Sequence, residues 1–193
     1  MDKMLLEIPA DFETERLRLR SYQAGDGRWY YPMSLRNRDH LARYEGDNPA
    51  RTLASEDHAE ALVRSFAAEW QARASFFMAA FDKASGDFVC QVYIGPVNWA
   101  LPEFAVGYFA DEAHTRRGYT TEAVRGALDF IFRHLQARRV RLECDDTNVP
   151  SYRVAERAGF IREGHLRQNK LQPDGTLTGT LLYGMLRSEY ERS

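Results

Sequence analysis

The chain has 193 residues, enough for one substantial hydrophobic core, and we expect a single domain over residues 1–193. Its 26 Lys and Arg side chains nearly balance its 28 Asp and Glu side chains, which excludes the strongly basic surface typical of nucleic-acid-binding proteins. The N-terminal apolar run is too short for a signal peptide, and no segment approaches the roughly 20 apolar residues of a membrane span. We therefore expect a cytoplasmic protein with no nucleic-acid or membrane partner. A homodimer is compatible with these numbers, but the oligomeric state does not follow from them.

The first half of the chain predicts one strand, a mixed segment and one helix. Leu and Arg alternate between Glu15 and Tyr22, as in a half-buried strand. The signals between residues 25 and 48 indicate a helix and a loop whose limits do not follow from the pattern. Behind Ser55, a residue suited to cap a helix, apolar residues recur at helical spacing as far as Trp70.

The second half alternates strands with helices. Three β-rich runs, "FFMAAF", "DFVCQVYIGPVNW" and "EFAVGYFAD", are separated by turn-forming residues. After Gly118, apolar residues follow one helical face for about four turns. "RVRLECD" predicts a strand, "NVPSYRVAERAGF" a short helix that ends at Gly159, and "GTLLYGML" a final strand. Strands before and after a central helix predict an α+β fold with a mixed sheet. Cys90 and Cys144 lie in apolar strand-like runs and are interpreted as reduced core thiols, and no metal site is predicted.

The stretch "DEAHTRRGYTTEAVRG" places two arginines and a glycine directly before the central helix. The first N–H groups of a helix have no partner within the helix, and the helix dipole adds partial positive charge there, so this junction can hold an anion. Gly118 lets the backbone approach a ligand closely, and Arg116 and Arg117 supply positive charge. A tight turn with two solvated arginines explains the same residues.

Three blocks, "FETERLRLRSY", "FAVGYFADEAHTRRGYTTEAVRGALDFIF" and "NVPSYRVAERAGFIREGHLR", together resemble the GNAT N-acetyltransferase superfamily. The branch that they resemble is that of the ribosomal-protein alanine acetyltransferases. The likeness covers nearly the whole chain, from about Phe12 to Leu186. It implies a central twisted, mostly antiparallel sheet flanked by helices, with a splay between two strands that holds CoA.

The resemblance implies an acetyl-CoA site, with acetyl-CoA as co-substrate. In the family, backbone N–H groups at the start of the central helix wrap the pyrophosphate, and the matching hexad here is residues 115–120. Its Gly118 is retained, but Thr115, Thr120 and Arg116 depart from the usual pattern. The strand before the loop is implied to pair its backbone with the pantetheine arm. The implied CoA-binding residues are Tyr108, Phe109, Ala110, Arg116, Arg117, Gly118, Tyr119, Thr120 and Asn148.

The resemblance also implies chemical roles in the second half of the chain. Asn148 would orient the CoA arm, and the Ser151 hydroxyl would hydrogen-bond the departing thiolate or relay a proton to it; helix capping and packing explain both residues equally well. At the family's tyrosine position this chain has Ala155. The usual base position holds Ala105, and Glu103, on the same face by strand alternation, is a fallback base or simply a solvated carboxylate.

The function implied is acetyl transfer to a primary amine, either a protein N-terminus or a small molecule, by direct attack. The alternative is a non-catalytic acyl-CoA-binding or sensory module on the same fold, because the substitutions at Ala105 and Ala155 are compatible with lost activity. We expect the acceptor surface in the segment 25–48, through the aromatics of "RWYYP" and the carboxylates Asp39, Glu45 and Asp47, and in a late loop, "HLRQNKLQPDGTLTG". Ordinary exposed acids explain the same carboxylates. His114 is interpreted as structural.

Overall fold

The computed structural model describes residues 2–172 and 174–192, which form one sheet of eight strands with five α-helices. The strands are β1 (Asp11–Glu13), β2 (Leu17–Ser21), β3 (Phe76–Asp82), β4 (Phe88–Asn98), β5 (Glu103–Ala110), β6 (Arg139–Asp145), β7 (Ile161–Leu171) and β8 (Leu177–Leu186). The helices are α1 (Gly27–Ala42), α2 (Glu56–Ala72), α3 (Tyr119–Arg133), α4 (Val149–Ala158) and α5 (Arg187–Tyr190). The predicted α+β fold is confirmed.

The sheet is antiparallel except at its centre. The strand order is β1-β2-β3-β4-β5-β6-β8-β7, and only β5 and β6 are parallel neighbours. Their register runs from Glu103 opposite Arg139 to Ala105 opposite Arg141 and stops there, although both strands continue. Beyond that point residues 106–110 of β5 and 142–145 of β6 are not paired with each other. We call the opening between these two segments the β5/β6 cleft.

Helices cover both faces of the sheet. The larger hydrophobic cluster contains the apolar face of α3, with Ala123, Val124, Ala127 and Ile131, and the buried Ala155 of α4. The second cluster joins α1 and α2 to Ala79, Phe88 and Phe109 on the opposite face. Among the described residues, no helix is long and apolar enough to span a lipid bilayer.

Strand β7 corrects the prediction of a late loop. Residues 165–171 belong to β7 and residues 177–179 to β8, so that most of the predicted loop is an antiparallel hairpin. Ten of the eleven β7 residues are exposed, because β7 is an edge strand without a helix over it. An edge strand that is exposed to solvent on both faces lacks the alternation of apolar and polar residues by which a strand is predicted.

The aromatic residues of "RWYYP" also differ from the prediction of an acceptor surface. Tyr30 is fully buried in the second cluster, and Trp29 and Tyr31 pack against that cluster. Their helix, α1, carries Pro32 in its interior, where the ring removes a backbone donor and lowers the helical signal. The aromatic residues therefore build the core between α1, α2 and the sheet.

Candidate active site

The loop of residues 115–118 turns sharply into α3. Gly118 precedes the first helical residue with φ of 81°, and Arg116 has φ of 62°. Both values lie in the left-handed region, which costs a residue with a side chain about 1–2 kcal/mol. The backbone of Arg116 thus keeps a conformation that favours glycine.

This turn leaves a row of backbone N–H groups without acceptors. The first hydrogen bond of α3 joins Glu122 N–H to the Gly118 carbonyl at 3.1 Å. Within residues 2–172 and 174–192, the N–H groups of residues 116–121 donate no hydrogen bond. The side chains of Arg116 and Arg117 are exposed and make no hydrogen bond or ion pair with any of these residues. The loop therefore offers N–H groups, the positive end of a helix dipole and two free guanidinium groups to an anion.

A third arginine, which the sequence interpretation missed, fixes the start of α3. The Arg16 Nε donates to Glu122 Oε2 at 2.6 Å, and its Nη1 donates to the Arg117 carbonyl at 3.1 Å. Its guanidinium also lies over the ring of Tyr119, 4.7 Å from the centroid, and the Tyr119 hydroxyl donates to Asp82. Because the Tyr119 side chain is engaged in these contacts, only its backbone N–H is left to contribute to binding an anion.

The end of β5 supplies the backbone edge of the cleft. Tyr108, Phe109 and Ala110 pair with β4 on one side and have no ladder partner on the β6 side. Phe109 buries its ring in the second cluster, so its contribution to a ligand is confined to the backbone. The predicted splay of this strand is therefore present at the predicted residues.

Asp111, directly after β5, anchors the cleft to α1. Its Oδ2 accepts from Arg36 Nε and from Asn37 Nδ2, both at 2.9 Å, and His114 Nδ1 lies 3.2 Å from its Oδ1. Burial alone would raise the pKa of this carboxyl, but the hydrogen bonds from Asn37, Arg36 and His114 together lower it. The carboxylate thus stays charged while fully buried, and His114, which the sequence predicts to be structural, contacts it. The sequence carried no signal for the Asp111 contacts, since Arg36 and Asn37 are about 75 residues away along the chain.

Helix α4 begins at the other side of the cleft. The Ser151 N–H donates to Asn148 Oδ1 at 3.3 Å, which makes Asn148 the N-cap, and Pro150 lies in the first turn. Gly159 ends the helix with φ of 98°. These local signals were read correctly from the sequence because caps depend on adjacent residues. They place Asn148 and Ser151 at the open end of β6.

Ser151 and Tyr108 meet across the cleft. The Tyr108 hydroxyl donates to the Ser151 carbonyl at 2.8 Å, and the Ser151 hydroxyl lies 3.4 Å from the Tyr108 hydroxyl. Burial raises the pKa of the Cys144 thiol to about 11, while the Ser151 hydroxyl beside it acts in the opposite direction. Burial also raises the pKa of the Tyr108 phenol. Tyr108 and Cys144 are therefore neutral near pH 7, and Ser151 has two weakly acidic neighbours.

Glu103 lies at the opposite end of β5 from this group. Its Oε1 accepts from Arg139 Nε at 3.3 Å, and Arg139 also forms an ion pair with Glu163. Five strand residues separate Glu103 from Tyr108, which corresponds to roughly 17 Å. The structure thus brings together Tyr108, Asn148 and Ser151, and holds Glu103 in the closed part of the sheet. Among the described residues, no group of three or more His, Cys, Asp or Glu side chains is arranged to hold a metal ion.

The geometry can be compared with known proteins. The family model described as an acetyltransferase (GNAT) domain matches residues 16–161. The probable N-acetyltransferase YjcK of Bacillus subtilis (strain 168) is 41% identical over 73 residues, which cover 38% of this chain and 40% of YjcK. The chain thus spans less than half the length of that relative.

Two solved structures have a similar fold. The ribosomal-protein-S5-alanine acetyltransferase from Vibrio fischeri has a TM-score of 0.81 at 20% identity and covers 94% of this chain and 99% of its own. The spermidine N-acetyltransferase from Vibrio cholerae, in complex with CoA and spermine, has a TM-score of 0.75 at 21% identity, with 92% and 99% covered. At these identities the likeness concerns the fold.

Proposed function

The chain belongs to the acetyltransferase (GNAT) domain family, and from this membership we propose that it transfers the acetyl group of acetyl-CoA to a primary amine by direct attack. The family resemblance predicted from the sequence is confirmed, and a ribosomal-protein acetyltransferase has a similar fold. The observation that carries the proposal is the β5/β6 cleft, with a row of unpaired backbone N–H groups at one end and the Tyr108 and Ser151 contact inside it.

The residues of the loop fit a pyrophosphate. Phosphate oxygens accept hydrogen bonds from successive backbone N–H groups, and the helix dipole favours their negative charge. Residues 116–121 provide those donors, and Gly118 leaves room for close approach: a Cβ built there would meet only Arg16 Nη2 within 4 Å, at 3.4 Å. In this proposal Arg116, Arg117 and Gly118 hold the pyrophosphate together with the backbone of Tyr119 and Thr120.

The cleft fits an extended chain that needs backbone partners. Unpaired strand groups bind an extended ligand as an added strand would be bound, and in this proposal Tyr108, Phe109 and Ala110 hold the pantetheine arm in that way. The side-chain amide of Asn148 retains its Nδ2 donor while its Oδ1 caps α4. We assign Asn148 the orientation of the same arm.

Bound acetyl-CoA supplies a thioester, an activated acyl group whose leaving group is a thiolate. The chain's part is to remove a proton from the acceptor amine and to stabilise the negative charge on the sulfur. Ser151 is assigned the second task, because its hydroxyl lies at the open end of the cleft beside the neutral Tyr108 and Cys144. Hydrogen bonds in a site of low dielectric constant are stronger than in water. Glu103 is the carboxylate that the sequence offers for the first task, although Arg139 occupies its Oε1.

The acceptor is proposed to be a primary amine, either a protein N-terminus or a small polyamine. Both kinds are named for relatives of similar fold, an alanine of ribosomal protein S5 in one case and spermidine in the other. Asp39 lies within α1 and Asp47 after it, and both are exposed. Their negative charges would favour a cationic acceptor.

A thiol-release assay tests the proposal. Wild-type chain is incubated with acetyl-CoA and either spermidine or a short peptide with a free N-terminal alanine, and free CoA and acetylated amine are both measured. We expect the two products in equal amounts with at least one acceptor. Binding of CoA without release of thiol with either acceptor would support the non-catalytic module instead.

A further inference from the structure

Glu45 lies on the segment that follows α1, and its carboxylate is held by a fixed neighbour. The Asn48 Nδ2 donates to Glu45 Oε2 at 3.4 Å, while the Oδ1 of the same side chain accepts from Ala50 N–H at 3.0 Å. Both ends of the Asn48 amide are thus engaged, which orients the half-buried carboxylate.

The same segment is attached to the mouth of the β5/β6 cleft. The hydroxyl of Tyr44 donates to the Thr147 carbonyl at 3.1 Å, and Thr147 directly precedes Asn148. The segment of Tyr44 and Glu45 therefore joins the end of α1 to the start of α4. Helix α1 packs on one face of the sheet, and α4 packs on the other.

Glu45 interacts electrostatically with one group on β7 and one on β5. Burial raises the pKa of the Glu45 carboxyl, and the Asn48 hydrogen bond and the Lys170 charge on β7 lower it in part, with a net rise. Burial raises the pKa of the Tyr108 phenol on β5, and the Glu45 charge acts in the same direction. Lys170 also acts on Cys144 and Asp145 at the end of β6. Glu45 is therefore within electrostatic reach of the phenol that contacts Ser151.

We propose that Glu45 is the general base of the acetyl transfer, an inference that rests on the function proposed above. A primary amine reaches the site mainly as an ammonium ion, since its pKa lies above 7. Glu45 takes one proton from the nitrogen, and the neutral amine forms a bond to the acetyl carbon. The carbon–sulfur bond then breaks with its electron pair on the sulfur, which receives a proton through Ser151, while the nitrogen loses its second proton. One proton is released to water in each turnover.

Glu45 suits this role better than Glu103. A base must come within hydrogen-bonding reach of the proton that it removes, and Glu103 lies in the closed, paired part of β5 with Arg139 on its Oε1. Glu45 follows α1 and Ser151 lies in the first turn of α4, the two elements that the contact of Tyr44 with Thr147 brings together. In this proposal Glu45 supplies, from another segment, the carboxylate that is missing at the family's usual base position, Ala105.

The test measures single-turnover transfer from acetyl-CoA as a function of pH, with whichever of spermidine and the alanine peptide the wild-type chain acetylates. We expect Glu45→Gln to lower the rate by about a hundredfold or more, the range for a lost general base, with CoA affinity and melting temperature unchanged. The rate of the wild-type chain should fall on acidification at a pH above that of an ordinary glutamate, and Glu45→Gln should lose this acidic limb. Asp57→Asn, at an exposed carboxylate in the first turn of α2, is the matched control and should keep the rate.

A second variant, Lys170→Ala, tests the proposal even if Glu45→Gln fails to fold. Lys170 is exposed, and its positive charge lowers the pKa of Glu45, so Lys170→Ala should move the acidic limb to higher pH. A limb that stays in place in Lys170→Ala, or a Glu45→Gln chain with wild-type rate and profile, would overturn the assignment. Loss of activity in Glu103→Gln with full activity in Glu45→Gln would return the role to Glu103. Absence of turnover by the wild-type chain would instead contradict the proposed function, and Glu45 would have no proton to take.

Discussion

The hydroxyl of Tyr108 donates a hydrogen bond to the main-chain carbonyl of Ser151 at 2.8 Å, while the Ser151 hydroxyl lies 3.4 Å from the same phenol oxygen. Tyr108 belongs to β5 and Ser151 to α4, so this pair joins the two walls of the β5/β6 cleft. The hydrogen bond to the main-chain carbonyl holds Ser151 in place. The contact of the Ser151 hydroxyl with Tyr108 is weak, because 3.4 Å is long for a hydrogen bond between hydroxyls. The Ser151 hydroxyl therefore remains able to donate to a ligand atom in the cleft.

Substitution of Ser151 by alanine should slow acetyl transfer without weakening CoA binding. A hydrogen bond to the departing sulfur strengthens as charge develops, so its loss raises the barrier more than it affects the bound ground state. We expect the single-turnover rate to fall by roughly ten- to a thousandfold. CoA affinity and melting temperature should stay near those of the wild-type chain, since the Asn148 cap bonds the Ser151 backbone N–H.

The control for this variant is Ser65→Ala. Ser65 is a helical serine of α2 whose hydroxyl donates to the Leu62 carbonyl, away from the cleft. Its loss should leave the transfer rate unchanged. Equal rates for Ser151→Ala and the wild-type chain would remove the Ser151 hydroxyl from the mechanism.

Introduction of a carboxylate at Gly118 should abolish CoA binding. The Gly118→Asp side chain would place negative charge at the N–H row where we propose that the pyrophosphate lies. The carboxylate and the pyrophosphate would then be close together and would repel each other strongly. In a thermal melt, CoA should raise the melting temperature of the wild-type chain by binding the folded state, and this rise should vanish in the variant.

Gly86→Asp provides a matched control for the backbone strain. Gly86 has φ of 78°, close to the 81° of Gly118, and a Cβ there meets no atom within 4 Å. Both variants should therefore lose a similar amount of stability, about 1–2 kcal/mol, but Gly86→Asp should keep the CoA-induced rise. If Gly118→Asp bound CoA normally, the loop would be an ordinary tight turn.

Arg116→Gly should separate stability from binding. The left-handed φ of 62° at Arg116 is strained for arginine and free for glycine, whereas glycine increases the entropy of the unfolded chain. We expect the free energy of unfolding without ligand to rise by up to about 1 kcal/mol, and CoA to bind more weakly because one guanidinium is lost. Urea unfolding and CoA titration measure the two effects. Gln136→Gly, at another exposed residue with φ of 55°, should show the gain in stability alone; weaker binding in both variants would contradict a role for Arg116.

Elements whose signals are local could be predicted from the sequence. The bounds of β6 agree with the predicted "RVRLECD" run, because its apolar residues alternate toward the core. The Ser55 cap of α2 and the Asn148 and Gly159 caps of α4 are also present, since each depends on residues within one turn. The splay of β5 followed from the family resemblance and not from local pattern.

The rest depends on contacts between distant parts of the chain. Nothing in the segment after α1 distinguishes the half-buried Glu45 from the exposed Asp47. The contact that ties this segment to the start of α4 joins Tyr44 to Thr147, 103 residues later. The Tyr108 and Ser151 pair is separated by 43 residues. Tyr108 was predicted as a backbone contact, and only the fold shows its phenol beside the proposed proton donor.

A crystal structure of the chain with CoA and a captured amine would show whether acetyl-CoA and the acceptor amine meet in the β5/β6 cleft. We expect the pyrophosphate against the N–H groups of residues 116–121, the CoA sulfur within hydrogen-bonding distance of the Ser151 hydroxyl, and the amine nitrogen between that sulfur and Glu45. A CoA molecule bound elsewhere, or a sulfur atom remote from Ser151, would contradict the proposed site.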